Sequence, residues 1–296
     1  MTAETAERGF RRLPITDDEE VSAVHALLAR LDQIPVLITR YEKTAELAPK
    51  PSSELGDDDR RTSFLQLSHY VAASMHVATD ALSAVAKLLQ PEPGALEHRL
   101  TAQFPLMRSA LEASATALWL LRPDEQRTRI VRLLQLRRSD VLYDLQLAKS
   151  AAKVMSSFGK AHVATAQRGV RDATKRKKKH DARLNEIAAA EAIAYEEFLS
   201  GSPGLAAIID EAADDEGKAS AVWRVISGLS HPSPLRLLQT SQIEQAADDG
   251  NDTVHLLSSM KLQNTIVSLM SAMLLYQEAT EMRARRMLKP ASHKTA

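Results

Sequence analysis

Apolar positions recur at helical spacing along almost the whole chain. Apolar residues three and four positions apart lie on one face of an α-helix, so this spacing predicts amphipathic helices. The predicted helices span residues 16–47, 60–90, 96–121, 123–155, 159–199, 205–213, 218–230 and 260–288. The segment "LLQTSQIEQAADDGNDTVHLLSS" differs, because two short stretches there flank the turn signal "DDGND", and it predicts a β-hairpin. We therefore predict an all-α fold: an antiparallel helical bundle of long helices with a small β-hairpin insertion near the C-terminus.

The breaks between these segments define the expected domain organisation. Thr16 is an N-cap candidate for the first helix, which we expect to kink at Pro35. The stretch "APKPSSELGDDD" is rich in Pro, Ser and acidic residues and is interpreted as a linker. We expect a flexible N-terminus over 1–16, a single helical-bundle domain over 17–288 and a flexible C-terminal tail over 289–296.

The predicted helix 96–121 is apolar almost all round, which is typical of the central helix of a bundle. Within "FPLMRSALEASATALWLL" the only charged residues are Arg108 and Glu112, which are four positions apart and so lie on one face. A buried charge is costly unless it is paired. Two interpretations follow: a salt bridge that orders the core, or a pair of groups that line a polar cavity.

The amino-acid composition agrees with this fold and excludes several kinds of site and location. The 296 residues are 44% hydrophobic with a net charge of +0, and they include 10 glycines and no cysteine. The balance of charge gives no overall preference for nucleic acid or membrane, and the lack of cysteine excludes disulfides and thiolate metal sites. The first twenty residues do not resemble a signal peptide, and no uninterrupted apolar run reaches the ~20 residues of a membrane span. We expect a cytoplasmic protein without a membrane partner, metal or cofactor.

The segment "WRVISGLSHPSPLRLL" carries the main candidate site. Arg224, Ser227 and His231 recur at three-to-four spacing, so they share one face of the predicted helix 218–230. His231 lies at the expected end of that helix, because Pro232 disfavours helical geometry for the residue before it.

At these residues the sequence resembles the HEPN superfamily of small α-helical bundles. The ribonuclease members of that superfamily carry an arginine, four to six residues, and a histidine near a helix end, and "RVISGLSH" has six intervening residues. The resemblance implies metal-independent RNA cleavage in a site shared across a homodimer, with Arg224 and His231 as catalytic residues. A looser resemblance, to uncharacterised actinobacterial-type helical proteins, is carried by "RSALE" and "WRVISGLSH" and implies no known activity.

A basic run, "KRKKKH", lies within the predicted helix 159–199. Clustered like charges attract phosphate backbones, so Lys175, Arg176 and Lys177 are candidate RNA-binding residues, as are Arg108, Glu112 and Ser227 in the first site. The alternative is that the run is a solvated helix face, because aspartate and glutamate flank it and no aromatic residue interleaves it.

Three functions are therefore compared. The first is an RNA-binding protein or ribonuclease of toxin or defence type, and the second is a non-catalytic helical module for dimerisation or protein interaction. The third is a metal-binding bundle that uses His69, His76 and Asp80 of the predicted helix 60–90. We also predict a polar centre in the bundle, where four side chains from two helices converge within hydrogen-bonding range, directly or through water: Arg108, Glu112, Arg224 and His231.

Overall fold

A computed structural model describes residues 18–231, 233–248 and 254–291. It is 78% helical, with one two-stranded antiparallel sheet, which confirms the predicted all-α bundle with a small β-hairpin. The helices are α1 (Asp18–Ala45), α2 (Glu54–Arg61), α3 (Leu67–Leu89), α4 (Gln103–Leu121), α5 (Gln126–Met155), α6 (Lys160–Ala190), α7 (Glu196–Leu199), α8 (Leu205–Ala213), α9 (Lys218–Leu229), α10 (Pro234–Thr240) and α11 (Leu262–Leu288). A 3-10 turn, Ser156–Phe158, joins α5 to α6, and the strands are β1 (Ser241–Asp248) and β2 (Val254–Met260).

The helix α4 is the centre of the bundle, as its apolar sequence predicts. It packs between α3 and α11, and α8 and α9 cover another of its sides. Twelve of its nineteen residues are buried, among them Met107, Leu111 and Trp119, whereas Pro105 and Ser109 are exposed. Burial of apolar area at about 25 cal/mol per Å² is the main source of stability for such a core. The site residues of α4 are placed by this packing, because the helix has little freedom to rotate.

The helices α5 and α6 form a long antiparallel hairpin at the side of the bundle. Buried residues of α5 end at Val141, and the rest of α5 extends away from the core with α6 as its main neighbour. The face of α6 toward α5 includes the buried Ala166 and Ala173. Apolar residues at a seven-residue repeat allow two helices to pack along their length. The basic run therefore lies on this hairpin.

The segment interpreted as a linker contains the helix α2, so that interpretation is wrong. Ser53 is its N-cap, with its side-chain oxygen accepting a hydrogen bond from the Gly56 N–H at 3.2 Å. The acidic residues of α2 are buried, and two of them, Glu54 and Asp58, pair with Arg286 and Arg129 of other helices. The helix ends at Arg61, and α3 begins at Leu67 with its Ser68 N–H donating to Asp59 Oδ1 at 2.9 Å.

Several predicted boundaries also change. The central helix begins at Gln103, seven residues later than predicted, after an irregular stretch. The predicted helix 159–199 is divided after Ala190, where Ala192 has a φ of 51°. A left-handed φ cannot continue an α-helix, which explains the break. The helix α10 was not predicted, although Ser233 caps it and Pro234 occupies its first turn.

The β-hairpin pairs Ser241 with Met260, and its register shifts between Gln245 and Ala247. The predicted cap Thr16, the N-terminal segment 1–16 and most of the turn "DDGND" lie outside the described residues. Of the predicted tail 289–296, residues 292–296 also lie outside them, whereas Ala291 donates its N–H to Ser52 O at 2.9 Å.

One of the described helices, Asp18–Ala45, is long and apolar enough to cross a membrane by length and composition, and 22% of its most apolar window is buried.

Candidate functional site

The candidate site lies where the middle of α4 meets the end of α9. Arg108 donates from Nε to Glu112 Oε1 at 2.7 Å, as expected for charges four positions apart on one helix face. The two side chains are 25% and 22% exposed, so the pair lies at the edge of the core. An ion pair in such a position is less screened by water than a surface pair.

Trp223 of α9 links the two helices. Its indole N–H donates to Glu112 Oε1 at 2.7 Å, so that this oxygen accepts from both Trp223 and Arg108. The guanidinium carbon of Arg108 lies 5.8 Å from the centre of the Trp223 ring, within the range of a cation–π interaction. Two contacts therefore fix the Arg108 side chain, one to Glu112 and one to the Trp223 ring, and the hydrogen bond from Trp223 to Glu112 connects these two partners.

His231 lies just beyond the end of α9 and reaches the same arginine. Its Nε2 atom is 3.4 Å from Nη1 of Arg108. The hydrogen bond requires Nε2 to act as acceptor, since guanidinium nitrogens only donate. The ring is otherwise exposed. Arg108, Glu112 and His231 thus come together as predicted, although they are separated by up to 123 positions in the chain.

Arg224 does not join this network. It is exposed on α9 and forms no hydrogen bond or ion pair within the described residues. The predicted convergence of four side chains is therefore observed for three of them. Ser227, also predicted to bind, is half-buried on the same helix.

A further arginine, missed from the sequence, lies against α9 one turn from Arg224. The side chain of Arg236, from α10, passes over Gly228: a Cβ added at that glycine would lie 3.3 Å from Arg236 Nε. Gly228 is one turn from Arg224, so the Arg236 side chain crosses the face of α9 that carries Arg224. Arg236 is exposed and has no ion-pair partner in the described part of the chain. Gly228 has no side chain to obstruct this approach, which is the one feature of the sequence that is consistent with a close neighbour there.

The charges of this site are unbalanced. Glu112 neutralises Arg108, whereas Arg224 and Arg236 have no carboxylate partner among the residues described. Planar guanidinium groups bind phosphate through pairs of hydrogen bonds. The arrangement can therefore hold an anion next to an exposed imidazole, which can accept and donate protons near neutral pH.

The basic run on α6 is partly neutralised. Arg176 pairs with Asp144 of α5 at 2.9 Å, and Lys177 pairs with Asp181. Lys175 is exposed and has no ion-pair partner within the described residues. Of the three candidate RNA-binding residues in this run, only Lys175 keeps its charge free.

The metal alternative finds no support in the described residues. His69, His76 and Asp80 are all exposed on α3, and no group of three or more potential ligands comes together in the described ranges. The His76 ring instead packs edge-on against Tyr41, with centroids 6.1 Å apart.

Comparison of the chain with protein-family models, with curated proteins and with solved structures gives no match.

Proposed function

We propose that this chain binds RNA at the α4–α9 site and cleaves it without a metal, as its resemblance to HEPN ribonucleases implies. The observation that carries the proposal is the contact between Arg108 and His231, at 3.4 Å. It joins two features that were selected from the sequence independently, one as charges in an apolar helix and the other as a motif. We place the protein in the cytoplasm as part of the same proposal.

The proposed reaction is an internal transfer within RNA. The ribose 2′-oxygen attacks the adjacent phosphorus, the bond from phosphorus to the 5′-oxygen of the next nucleotide breaks, and a 2′,3′-cyclic phosphate and a 5′-hydroxyl form. Because Nε2 of His231 accepts from Arg108, the neutral ring carries its proton on Nδ1. His231 supplies that proton to the leaving 5′-oxygen, and solvent takes the proton of the 2′-hydroxyl. Arg224 holds the scissile phosphate, with Arg236 beside it.

The other site residues position these groups. Glu112 and Trp223 hold Arg108 through a shared oxygen, and Arg108 in turn orients the ring of His231. A histidine held by one hydrogen bond keeps its second nitrogen available for proton transfer. The exposure of His231 supports the proposal, because a polymeric substrate must reach the ring from solvent.

The test is cleavage of a single-stranded RNA with EDTA present. We expect the wild type to cut and to leave cyclic phosphate ends, and His231→Ala to cut at least 100-fold more slowly, a typical contribution of a general acid or base. His69→Ala is the matched control, because His69 is an exposed histidine of α3 outside the site. No cleavage by the wild type, or equal cleavage by His231→Ala, refutes the ribonuclease proposal.

A non-catalytic interaction module is the second candidate function. Large apolar side chains that stay exposed favour it, such as Val36 of α1 and Leu274 of α11, which are 60% and 62% exposed and line a common groove. Exposed apolar surface of this kind marks binding sites for proteins. Two results together would favour this function. The wild type does not cleave RNA, and the Leu274→Glu variant no longer binds a protein partner that the wild type binds.

A further inference from the structure

The outer half of α5 carries apolar side chains that no part of the described chain covers. Tyr143, Leu147 and Val154 are 68%, 57% and 60% exposed. They are four and seven positions apart, so they lie within about 40° of one another around the helix. Phe158, 67% exposed in the 3-10 turn that follows, extends the apolar surface to the tip of the hairpin. We call these four residues the α5 stripe.

The α5 stripe is separate from the face that packs on α6. That face consists of partly buried residues at heptad spacing, including Leu145, Ala148 and Ala152. A helix with two apolar seams, one of them covered, is typical of a bundle that lacks a neighbour. The second seam is exposed over about 17 Å of helix from Tyr143 to Val154.

We propose that the α5 stripe is the interface of a homodimer, in which α5 packs antiparallel on α5 of a second copy. The order of residues along the stripe is nearly the same in both directions. Tyr143 and Phe158 are equally far from its midpoint, and so are Leu147 and Val154, with the small residues Ser150 and Ala151 at the centre. A two-fold interface requires this self-complementarity, because each residue of one copy meets a different residue of the other.

In this arrangement Tyr143 of one copy packs against Phe158 of the second copy, and Leu147 packs against Val154 of the second copy. The small central residues let the two helix backbones approach closely where they cross. No charged residue lies within the stripe, so pairing buries no charge there.

The area of the stripe fits a dimer. Because a buried aromatic side chain covers about 150–250 Å², four large side chains exposed to this extent offer roughly 450 Å² per protomer. Two copies then bury on the order of 900 Å² before the rim is counted, close to the ~1,000 Å² that separates specific interfaces from crystal packing. The surface lies on α5, whereas the RNA site lies on α4 and α9, so this dimer is not the shared-site dimer that the HEPN resemblance implies, and its test does not depend on the proposed activity.

The first experiment is sedimentation of the wild type, Leu147→Glu and Val77→Glu over a wide concentration range. We expect a concentration-dependent dimer for the wild type and a monomer for Leu147→Glu, with unchanged circular dichroism. Val77→Glu is the control, since Val77 is a similarly exposed apolar residue (53%) on α3, and it should still dimerise. A wild type that stays monomeric at high concentration overturns the proposal, as does dimerisation of Leu147→Glu.

The second experiment uses the absence of cysteine from the chain. Ser150→Cys lies next to the two-fold axis and should form an intermolecular disulfide under mild oxidation. Leu147→Cys alone should not, because the two copies of that residue are about 10 Å apart along the helices. A mixture of Leu147→Cys with Val154→Cys should cross-link. Self-cross-linking of Leu147→Cys indicates a parallel pairing, and no cross-link in the mixture refutes the antiparallel interface.

Discussion

Asp58 and Arg129 form an ion pair that is buried in the middle of the fold. Nε of Arg129 donates to Oδ2 at 2.7 Å and Nη2 donates to Oδ1 at 2.9 Å, and both side chains are at most 2% exposed. Burial raises the pKa of Asp58, and hydrogen bonds from Arg129 and Gln126 offset this only in part. The pair ties α2 to the start of α5.

Removal of one partner should destabilise the protein strongly, because the other charge is left buried without compensation. We expect Asp58→Asn to lower the free energy of unfolding by about 3–5 kcal/mol. The control is Asp144→Asn, whose partner Arg176 is exposed, so that about 0–1 kcal/mol is expected. Urea denaturation measures both, and equal effects would contradict a structural role for the buried pair.

The helix α2 also shows where sequence reasoning fails. Three consecutive aspartates predict a solvated loop, because carboxylates are seldom buried. The most deeply buried of them, Asp58, depends on Arg129, which lies far along the chain in α5. Glu54 at the start of the helix depends likewise on Arg286 of α11. Local pattern contains no information about such partners, whereas helical periodicity does predict the longer helices, including the central position of α4.

The candidate site was predictable to a similar extent. Charge spacing within an apolar helix identified Arg108 and Glu112, and the motif identified His231. Trp223 was missed although it is adjacent to Arg224, because a tryptophan in a helix is more often a core residue than a hydrogen-bond donor to a carboxylate. The position of Arg236 depends on the turn between α9 and α10, which the hydrophobic pattern does not specify.

His98 should make stability depend on pH. Burial lowers the pKa of His98 to about 4, and Nε2 lies 2.8 Å from the hydroxyl of the buried Thr265. The unfolded chain, with a histidine pKa near ~6.5, therefore binds a proton at a pH where the folded state does not. The contribution of the neutral, buried His98 to the free energy of unfolding is therefore complete above pH ~6.5. It decreases as the pH falls toward about 4, by up to about 3 kcal/mol in total.

The measurement is the free energy of unfolding at pH 7 and at pH 5 for the wild type and His98→Gln. We expect the difference between the two pH values to shrink in the variant, because glutamine does not titrate. His25→Gln is the control, since His25 lies on the exposed face of α1. An unchanged pH difference in His98→Gln would show that other groups cause the dependence.

The salt dependence of RNA binding should separate free from neutralised basic residues. Each phosphate contact on a single strand contributes about 0.7 to the slope of log affinity against log salt concentration. We expect Arg224→Gln and Lys175→Gln each to lower the slope by about this amount. Lys177→Gln should change it less, because Asp181 already neutralises Lys177. Equal slopes for Lys175→Gln and the wild type would place the RNA away from α6.

Two glycines within helices should respond to alanine with opposite signs. At Gly56 of α2 an added Cβ would lie 2.0 Å from the carbonyl oxygen of Lys50. That atom is backbone and cannot move without displacing the segment before α2, so Gly56→Ala should destabilise by about 1–3 kcal/mol. At Gly169 of α6 an added Cβ meets nothing within 4 Å, and alanine is the better helix former by up to about 1 kcal/mol.

Thermal and urea unfolding of the two variants provide the measurement. Gly169→Ala should be more stable than the wild type and Gly56→Ala less stable, although the chemical change is identical. The loss at Gly56 should be similar in size to that of other overpacked sites, since the segment before α2 has to shift. Stabilisation by Gly56→Ala would mean that the segment before α2 adjusts freely and that α2 is not held by the close approach of Lys50.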